Sequence, residues 1–368
     1  MPRRSENIYK RKDGRWEGRF KSGYNADGKA RYRSVYGKTY TEVRIKLSSL
    51  KAESKQYGAV CRLTVKELFE EWMSAISFKV KKSTYANYRM KADVHILPVF
   101  GKVQYEKLTA KMLHDFIAQK LRSGLSAKYV SDIVIVLKSM AKYTSRLRNL
   151  RNPFDGVILP KSNTKKEPQL FSEVQQERLV RHLIHNQDST KLCILLSFYT
   201  GLRIGELCAL RWSDIDFEKN ILTVRRTVQR IRTGNSTKLH VDVPKSRSSQ
   251  RSIPIPDFLM KQLRKFRSSG ECYILSGSIK VTDPRTMQYR FKAILRKAGL
   301  PSINFHALRH MFATNCIRLG FDVKTLSELL GHSSVETTLN RYVHSSMERK
   351  IECMGMLKAF QPSEILSG

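Results

Sequence analysis

Two glycines divide the stretch from Phe305 to Tyr342, FHALRHMFATNCIRLGFDVKTLSELLGHSSVETTLNRY, into short helical segments. Apolar and polar residues recur at helical spacing from His306 and stop at Gly320, and a second run, Val323 to Leu330, stops at Gly331. A glycine just past the last periodic residue is a helix stop, because it enters the left-handed region at no steric cost. The third segment is expected to start at Ser333, since Glu336 three residues later completes a capping-box pattern. Tyr342 then falls about two turns into that helix. His306 and Arg309 are three apart and share a helix face. His332 follows a helix end, close to the start of the helix that carries Tyr342. Short helices and tight turns therefore bring two histidines, an arginine and a tyrosine near one another.

Taken singly, each of these residues fits a solvated helical surface, and arginine is seldom buried without a partner. The combination fits something else. Arginine and histidine donors around one hydroxyl suit a phosphodiester, whose oxygens accept paired N–H groups from a guanidinium.

Charge points the same way. The 368 residues carry a formal net charge of +36, divided as +10 over residues 1–60, +12 over 61–165 and +14 over the rest. The excess is not one basic tail, so each part is expected to meet a polyanion. A membrane surface fits less well, because no amphipathic basic helix or lipidation motif stands out. No apolar run reaches the length of a membrane span, and the N-terminus MPRRSENIYK lacks a signal-peptide apolar core. The six cysteines (61, 193, 208, 272, 316 and 353) form no CxxC pair and fit reduced cytoplasmic thiols. His306 and His310 have i,i+4 spacing, but no glutamate follows the first histidine, so the zinc-protease motif is absent and no metal site is expected.

Along the chain, 1–60 is expected to form a small α+β module: a three-stranded sheet and a helix. Arg15 to Phe20 and Arg31 to Tyr36 alternate as strands around a turn at Tyr24 to Gly28, and Thr41 to Lys55 has a helical pattern. Arginine, lysine and aromatic residues interleave on the strands. Such a face could lie in a DNA groove, or be the solvated side of an ordinary half-buried sheet. Residues 61–165 fit an all-α bundle of four helices, opened at Thr64, Thr84, Thr109 and Ser126, with a break from Leu97-Pro98 to Gly101. Residues 160–168, PKSNTKKEP, fit a linker. Residues 166–368 fit one mainly α domain with a small antiparallel sheet. Strands are expected at Ile221 to Thr227, His240 to Pro244 and Ser252 to Pro256, the last two flanking a polar turn that contains Lys245.

Thr200-Gly201-Leu202-Arg203, His306-Ala307-Leu308-Arg309, Leu330-Gly331-His332 and Tyr342 match, in order and spacing, the motifs of the tyrosine recombinases. The chain resembles that family over its whole length, in the three-part layout of phage and conjugative-transposon integrases. The resemblance implies an arm-type DNA-binding domain at 1–60, a core-binding, SAM-like helical domain with its linker at 61–165, and a catalytic domain at 166–368. It implies Tyr342 as nucleophile and Arg203 and Arg309 as phosphate clamp. His306 is then the histidine of the HxxR motif, His332 the position that is His or Trp in the family, Lys245 the β-hairpin lysine, and Glu206 the acidic residue supporting Arg203. The activity implied is site-specific DNA cleavage and rejoining through a 3′-phosphotyrosine intermediate, integrating and excising a mobile element, with no cofactor. The expected partners are double-stranded DNA at core and arm sites, further copies forming a homo-tetramer on DNA, and an accessory DNA-bending or excision factor. The expected location is the bacterial cytoplasm. The alternatives are a chromosome-dimer resolvase, a type IB topoisomerase-like enzyme, or a non-catalytic DNA-binding protein. In the tail, Ile351, Met354, Leu357 and Phe360 recur at roughly helical spacing. This apolar stripe packs either on its own domain or, as the resemblance suggests, on a neighbouring protomer.

Overall fold

The structure is a computed structural model. It describes residues 7–24, 30–56, 63–160, 169–234, 236–243 and 249–342, with 351, 354 and 355. The chain divides into two compact units, Met1–Lys165 and Lys166–Gly368.

The first unit begins with an antiparallel sheet, β1 (Ile8–Lys10), β2 (Trp16–Tyr24) and β3 (Ala30–Gly37), in that order, followed by α1 (Tyr40–Gln56). The period of two along β2 sorts its side chains. Phe20 is buried with Ile8, Val43 and Leu47, and Trp16 packs against them. Gly18 sits where α1 crosses, since a Cβ there would meet Val43 Cγ1 at 2.7 Å. Glu17, one residue out of phase, is buried in a network of cations. Arg11 donates to it from Nη1 at 2.8 Å and Arg19 from Nε at 2.8 Å. Burial by itself would raise the Glu17 carboxyl, but hydrogen bonds from Ser34, Tyr9, Arg19 and Arg11 outweigh it and hold it at about 2. The guanidiniums of Arg11 and Arg19 lie 5.6 Å from the Tyr36 ring and 5.9 Å from the Tyr9 ring.

The helical part contains α2 (Val65–Ile76), α3 (Lys82–Lys91), α4 (Leu97–Phe100), α5 (Ala110–Arg122) and α6 (Ala127–Arg148). Thr64, Thr109 and Ser126 cap α2, α5 and α6 through their side-chain oxygens, as expected of residues that satisfy orphan N–H groups. Phe69, Trp72, Phe100, Phe116, Ile133, Leu137 and Phe154 fill the core. Two expectations are corrected. The second helix of the bundle starts at Lys82 rather than Thr84, after the extended Lys81. The break expected at Leu97-Pro98 is instead a π-helical turn, Ala92–Ile96, in which the Leu97 N–H donates to the Ala92 carbonyl. Pro98 then occupies the first turn of α4, where no backbone N–H is needed, and the helix runs on to Gly101. The expected linker lies outside the described residues except for Pro160.

The second unit is built around α8 (Ser189–Thr200), packed beside α7 (Glu173–Ile184). Leu192, Cys193, Ile194, Leu195 and Leu196 are all buried, so α8 has no solvent stripe and runs through the core. After α9 (Ile204–Cys208) come β4 (Ile215–Asp216), β5 (Ile221–Val224), β6 (Thr227–Thr233), β7 (Ser236–Asp242) and β8 (Arg251–Pro254). The helices α10 (Asp257–Lys265), α11 (Pro284–Lys297), α12 (His306–Arg318), α13 (Val323–Leu330) and α14 (Val335–Tyr342) complete the unit.

The strand pairing differs from expectation. The strand expected over Ile221 to Thr227 ends at Val224, and β6 starts separately at Thr227. Between them Arg226 turns in to donate to the buried Asp214 carboxylate at 2.7 and 2.8 Å. The segment beginning at His240 belongs to β7, which pairs back onto β6, while β8 pairs with β5 in a separate sheet ordered β4-β5-β8. The helix expected from Ser333 starts at Val335. The Thr337 N–H donates to the Ser334 carbonyl at 3.2 Å, so the chain enters the helix at Ser334.

Candidate active site

Arg203, Glu206, His306, Arg309 and His332 sit at or near helix ends in the second unit. Helix α8 stops at Gly201, whose φ of +64° is left-handed. A Cβ at this position would lie 2.6 Å from Phe312 Cδ1 and 3.0 Å from Leu330 Cδ2. The chain turns here so that the Gly201 carbonyl faces Arg309 and Arg203, two residues on, is the extended N-cap residue of α9. Gly201→Ala combines a disfavoured φ with overpacking and is expected to lower stability by about 1–3 kcal/mol. A urea denaturation midpoint equal to that of the parent would show that Phe312 and Leu330 yield freely.

Arg203 donates from Nη1 to Glu206 Oε1 at 2.7 Å, while its backbone N–H donates to Oε2 at 3.0 Å. Glu206 is buried and also accepts from Arg251 Nη1 at 3.3 Å and Nη2 at 3.0 Å. Burial pushes the Glu206 carboxyl up, but the charges and hydrogen bonds of Arg251 and Arg203 win and hold it below the ordinary value. It therefore stays ionised and braces two guanidiniums at once. Arg309, only 1% exposed, donates from Nη1 to the Gly201 carbonyl at 2.8 Å and from Nη2 to the Leu330 carbonyl at 2.6 Å.

The end of α13 draws these arginines together. Arg251 Nε donates to the Leu329 carbonyl at 2.6 Å, Arg309 Nη2 to the Leu330 carbonyl, and Arg203 Nη2 to the Gly331 carbonyl at 3.1 Å. Carbonyls in the last helical turn lack partners inside the helix and lie at the negative end of its dipole, so cations settle there. Gly331, with φ +63°, closes the helix, and the His332 N–H donates to the Ser327 carbonyl at 3.1 Å. His332 Nδ1 lies 2.8 Å from Oγ1 of the buried Thr338, a contact that orients the ring. His306 opens α12 on an exposed position, its ring edge-to-face with that of the buried His310 at 4.7 Å.

Arg203, Glu206, Arg309 and His332 are thus held around the Gly201 and Gly331 turns, with His306 on the helix that carries Arg309. The backbone of Tyr342 ends α14, the helix that follows His332. Lys245 lies outside the described residues. Arg251 was not anticipated. The available signal was a charged residue at the head of the apolar Ile253-Pro254-Ile255 stretch, which makes sense only with a buried partner.

The phage integrase family model matches residues 169–349, and the model of the phage integrase N-terminal SAM-like domain matches residues 64–121. The tyrosine recombinase XerA of Pyrococcus furiosus is 31% identical over 283 residues, covering 74% of this chain and 87% of that protein. A tyrosine recombinase XerC-like protein of Caldanaerobacter subterraneus subsp. tengcongensis is 27% identical, covering 91% and 93%. The ICEBs1 integrase of Bacillus subtilis is 28% identical, covering 75% and 78%. Among solved structures, the Tn1549 transposon integrase in complex with a circular intermediate DNA aligns with a TM-score of 0.68 at 23% identity, covering 80% of this chain and all of that one. A lambda integrase dimer bound to a core site aligns at 0.58 and 17%, covering 93% and 97%. At these identities the two structures establish the fold.

Proposed function

We propose that this chain, which belongs to the phage integrase family of tyrosine recombinases, is the integrase of a mobile element. It cleaves and rejoins double-stranded DNA at specific sites through a 3′-phosphotyrosine intermediate. The observation that carries the reading is the pair Arg203 and Arg309, fixed by Glu206 and by the Gly201, Leu330 and Gly331 carbonyls beside His332. In this scheme the Tyr342 hydroxyl attacks the scissile phosphorus, the P–O5′ bond breaks, and the 5′ oxygen leaves with a proton from Lys245. Arg203 and Arg309 neutralise charge that grows on the non-bridging oxygens, where losing one preorganised donor typically costs about 10²–10³ in rate. His306 and His332 stand beside them as further donors to the phosphate, with His306 also placed by the motif to accept the tyrosine proton. The phosphotyrosine ester keeps the energy of the broken bond, so a 5′-hydroxyl reverses the step without a nucleotide.

Support for a mobile-element role comes from the transposon and ICEBs1 integrases among the similar proteins. A lambda integrase tetramer bound to a Holliday junction, aligned at a TM-score of 0.57 and 17% identity, supports a tetramer on DNA here too. In such an assembly the tail stripe covers a neighbouring protomer. Of the stripe, Ile351 and Met354 are exposed, and Leu357 and Phe360 lie outside the described residues. An accessory DNA-bending or excision factor completes the assembly, which works on DNA in the bacterial cytoplasm. Among the described residues no helix is long and apolar enough to cross a membrane.

The test is a nicked suicide DNA that loses its 5′-hydroxyl fragment after cleavage. A covalent protein–DNA adduct is expected, and its absence would favour a non-catalytic DNA-binding protein. Strand joining that requires two distinct site types separates an integrase from a topoisomerase or a dimer resolvase. The layout assigned is arm binding at 1–60, core binding at 61–165 and catalysis at 166–368. The sheet face with Arg11, Arg19, Tyr9 and Tyr36 gives the first module its DNA-reading surface. A chain starting near residue 61 is expected to lose a distal footprint and keep core protection. Identical footprints would give the module another job.

A further inference from the structure

We propose that Arg251 is a positioning residue for strand cleavage, acting through Glu206 on the phosphate-binding Arg203 and through the Leu329 carbonyl on the turn that carries His332. The inference rests on the recombinase reading above.

Every nitrogen of the Arg251 guanidinium is engaged: Nε with the Leu329 carbonyl at 2.6 Å, Nη1 with the Ser249 carbonyl at 3.2 Å and Glu206, and Nη2 with Glu206 at 3.0 Å. Its side chain is 6% exposed, against 35% for Arg203. Among the described residues Arg251 is thus enclosed by its partners, whereas the Arg203 side chain stays partly open to a phosphate. What Arg251 controls is how Glu206 is shared. The carboxylate has two oxygens, and both accept from Arg251 as well as from Arg203. With Arg251 present, Arg203 makes one side-chain contact to Glu206, from Nη1, and its Nη2 is turned toward Gly331. Without Arg251, Glu206 is free to take Arg203 in a bidentate pair, the geometry guanidinium and carboxylate prefer. That pair would turn the Arg203 fork away from a phosphate. The second route is shorter. The Leu329 carbonyl lies three residues before His332, so loosening it slackens the turn that sets the imidazole.

The expected defect is therefore in chemistry, with DNA affinity preserved. In single-turnover cleavage of the nicked suicide DNA, Arg251→Gln should cleave about 10- to 100-fold more slowly, less than the loss of a direct phosphate donor. Binding should stay within about two-fold of the parent. The discriminating substrate carries a methylphosphonate at the scissile position. One charged oxygen is replaced by a methyl, so the demand for Arg203 falls, and the Arg251→Gln defect should shrink in parallel with that of Arg203→Ala. The double variant should cleave no more slowly than Arg203→Ala alone. If Arg251→Gln does not fold, Arg251→Lys supplies the same comparison, because it keeps the charge and loses the paired donation. A defect of equal size on both substrates, or one that multiplies with Arg203→Ala, would overturn the proposal and leave Arg251 as structural support. A parent chain that forms no adduct would overturn the recombinase reading, and this inference with it. An active parent whose Arg203→Ala variant is rescued while the Arg251 variant is not would overturn this inference alone.

Discussion

Tyr342→Phe is expected to bind its DNA site as the parent does and to form no covalent adduct. The change removes a single oxygen and keeps the ring and the charge of the chain, so DNA affinity is expected to hold. It also removes the hydroxyl that the proposed scheme assigns as nucleophile. A tyrosine hydroxyl titrates near pH 10 and attacks poorly unless it is helped. The proposed scheme supplies that help through guanidiniums that would neutralise the phosphate and through His306 and His332, which would hold or take protons. A phenyl ring cannot form the phosphoester whatever that environment supplies, so the loss is absolute rather than a factor. Trapping on the nicked suicide DNA followed by a denaturing gel measures it. An adduct from the Phe variant would move the nucleophile to another residue and end the assignment of α14 as its carrier.

Local signals served well at several helix ends, though not at Thr84 or Ser333, where the helices start at Lys82 and Val335. Thr64, Thr109 and Ser126 mark helix starts because a side-chain oxygen and an orphan N–H lie within three residues of each other. Gly320 and Gly331 mark helix stops because positive φ belongs to a single residue. Other features were missed as well. The π-turn at Ala92–Ile96 moves Pro98 into the first turn of α4, and no residue type announces a π-turn. The β6–β7 pairing was missed, although the Gly-Asn pair at positions 234–235 is a local hairpin signal in the sequence. The pairing of β5 with β8 had no such signal, because its partners are about thirty residues apart along the chain.

The residues of the candidate site divide along the same line. Arg203 and Glu206 are three apart, and their contact could be read from helix geometry. Arg251 meets Glu206 from 45 residues away and Leu329 from 78, so only the folded chain reveals it. The burial of Arg309 is of this kind too. A motif says that the arginine is present, but not that two backbone carbonyls hold its guanidinium.

Lys245→Ala is expected to slow cleavage of an ordinary phosphodiester by about 10²–10⁴, the range for losing a general acid. The same variant should cleave a 5′-phosphorothiolate site at a rate within a few fold of the parent. Lys245 stands in the chain between β7, which ends at Asp242, and β8, which begins at Arg251. The leaving group decides what this lysine must do. A departing 5′ alkoxide is strongly basic and needs a proton as the P–O bond breaks. A thiol titrates near pH 8.5, so the sulfur leaves as a thiolate without one. Sulfur substitution therefore removes the need for an acid and leaves the need for phosphate contacts untouched. Arg203→Ala and Arg309→Ala should accordingly stay slow on the phosphorothiolate, because their donors serve the non-bridging oxygens. This contrast makes the experiment specific. Rescue of Lys245→Ala alone assigns it the proton, whereas failure to rescue places Lys245 with the arginines as a phosphate contact and sends the search for the acid to His306 and His332.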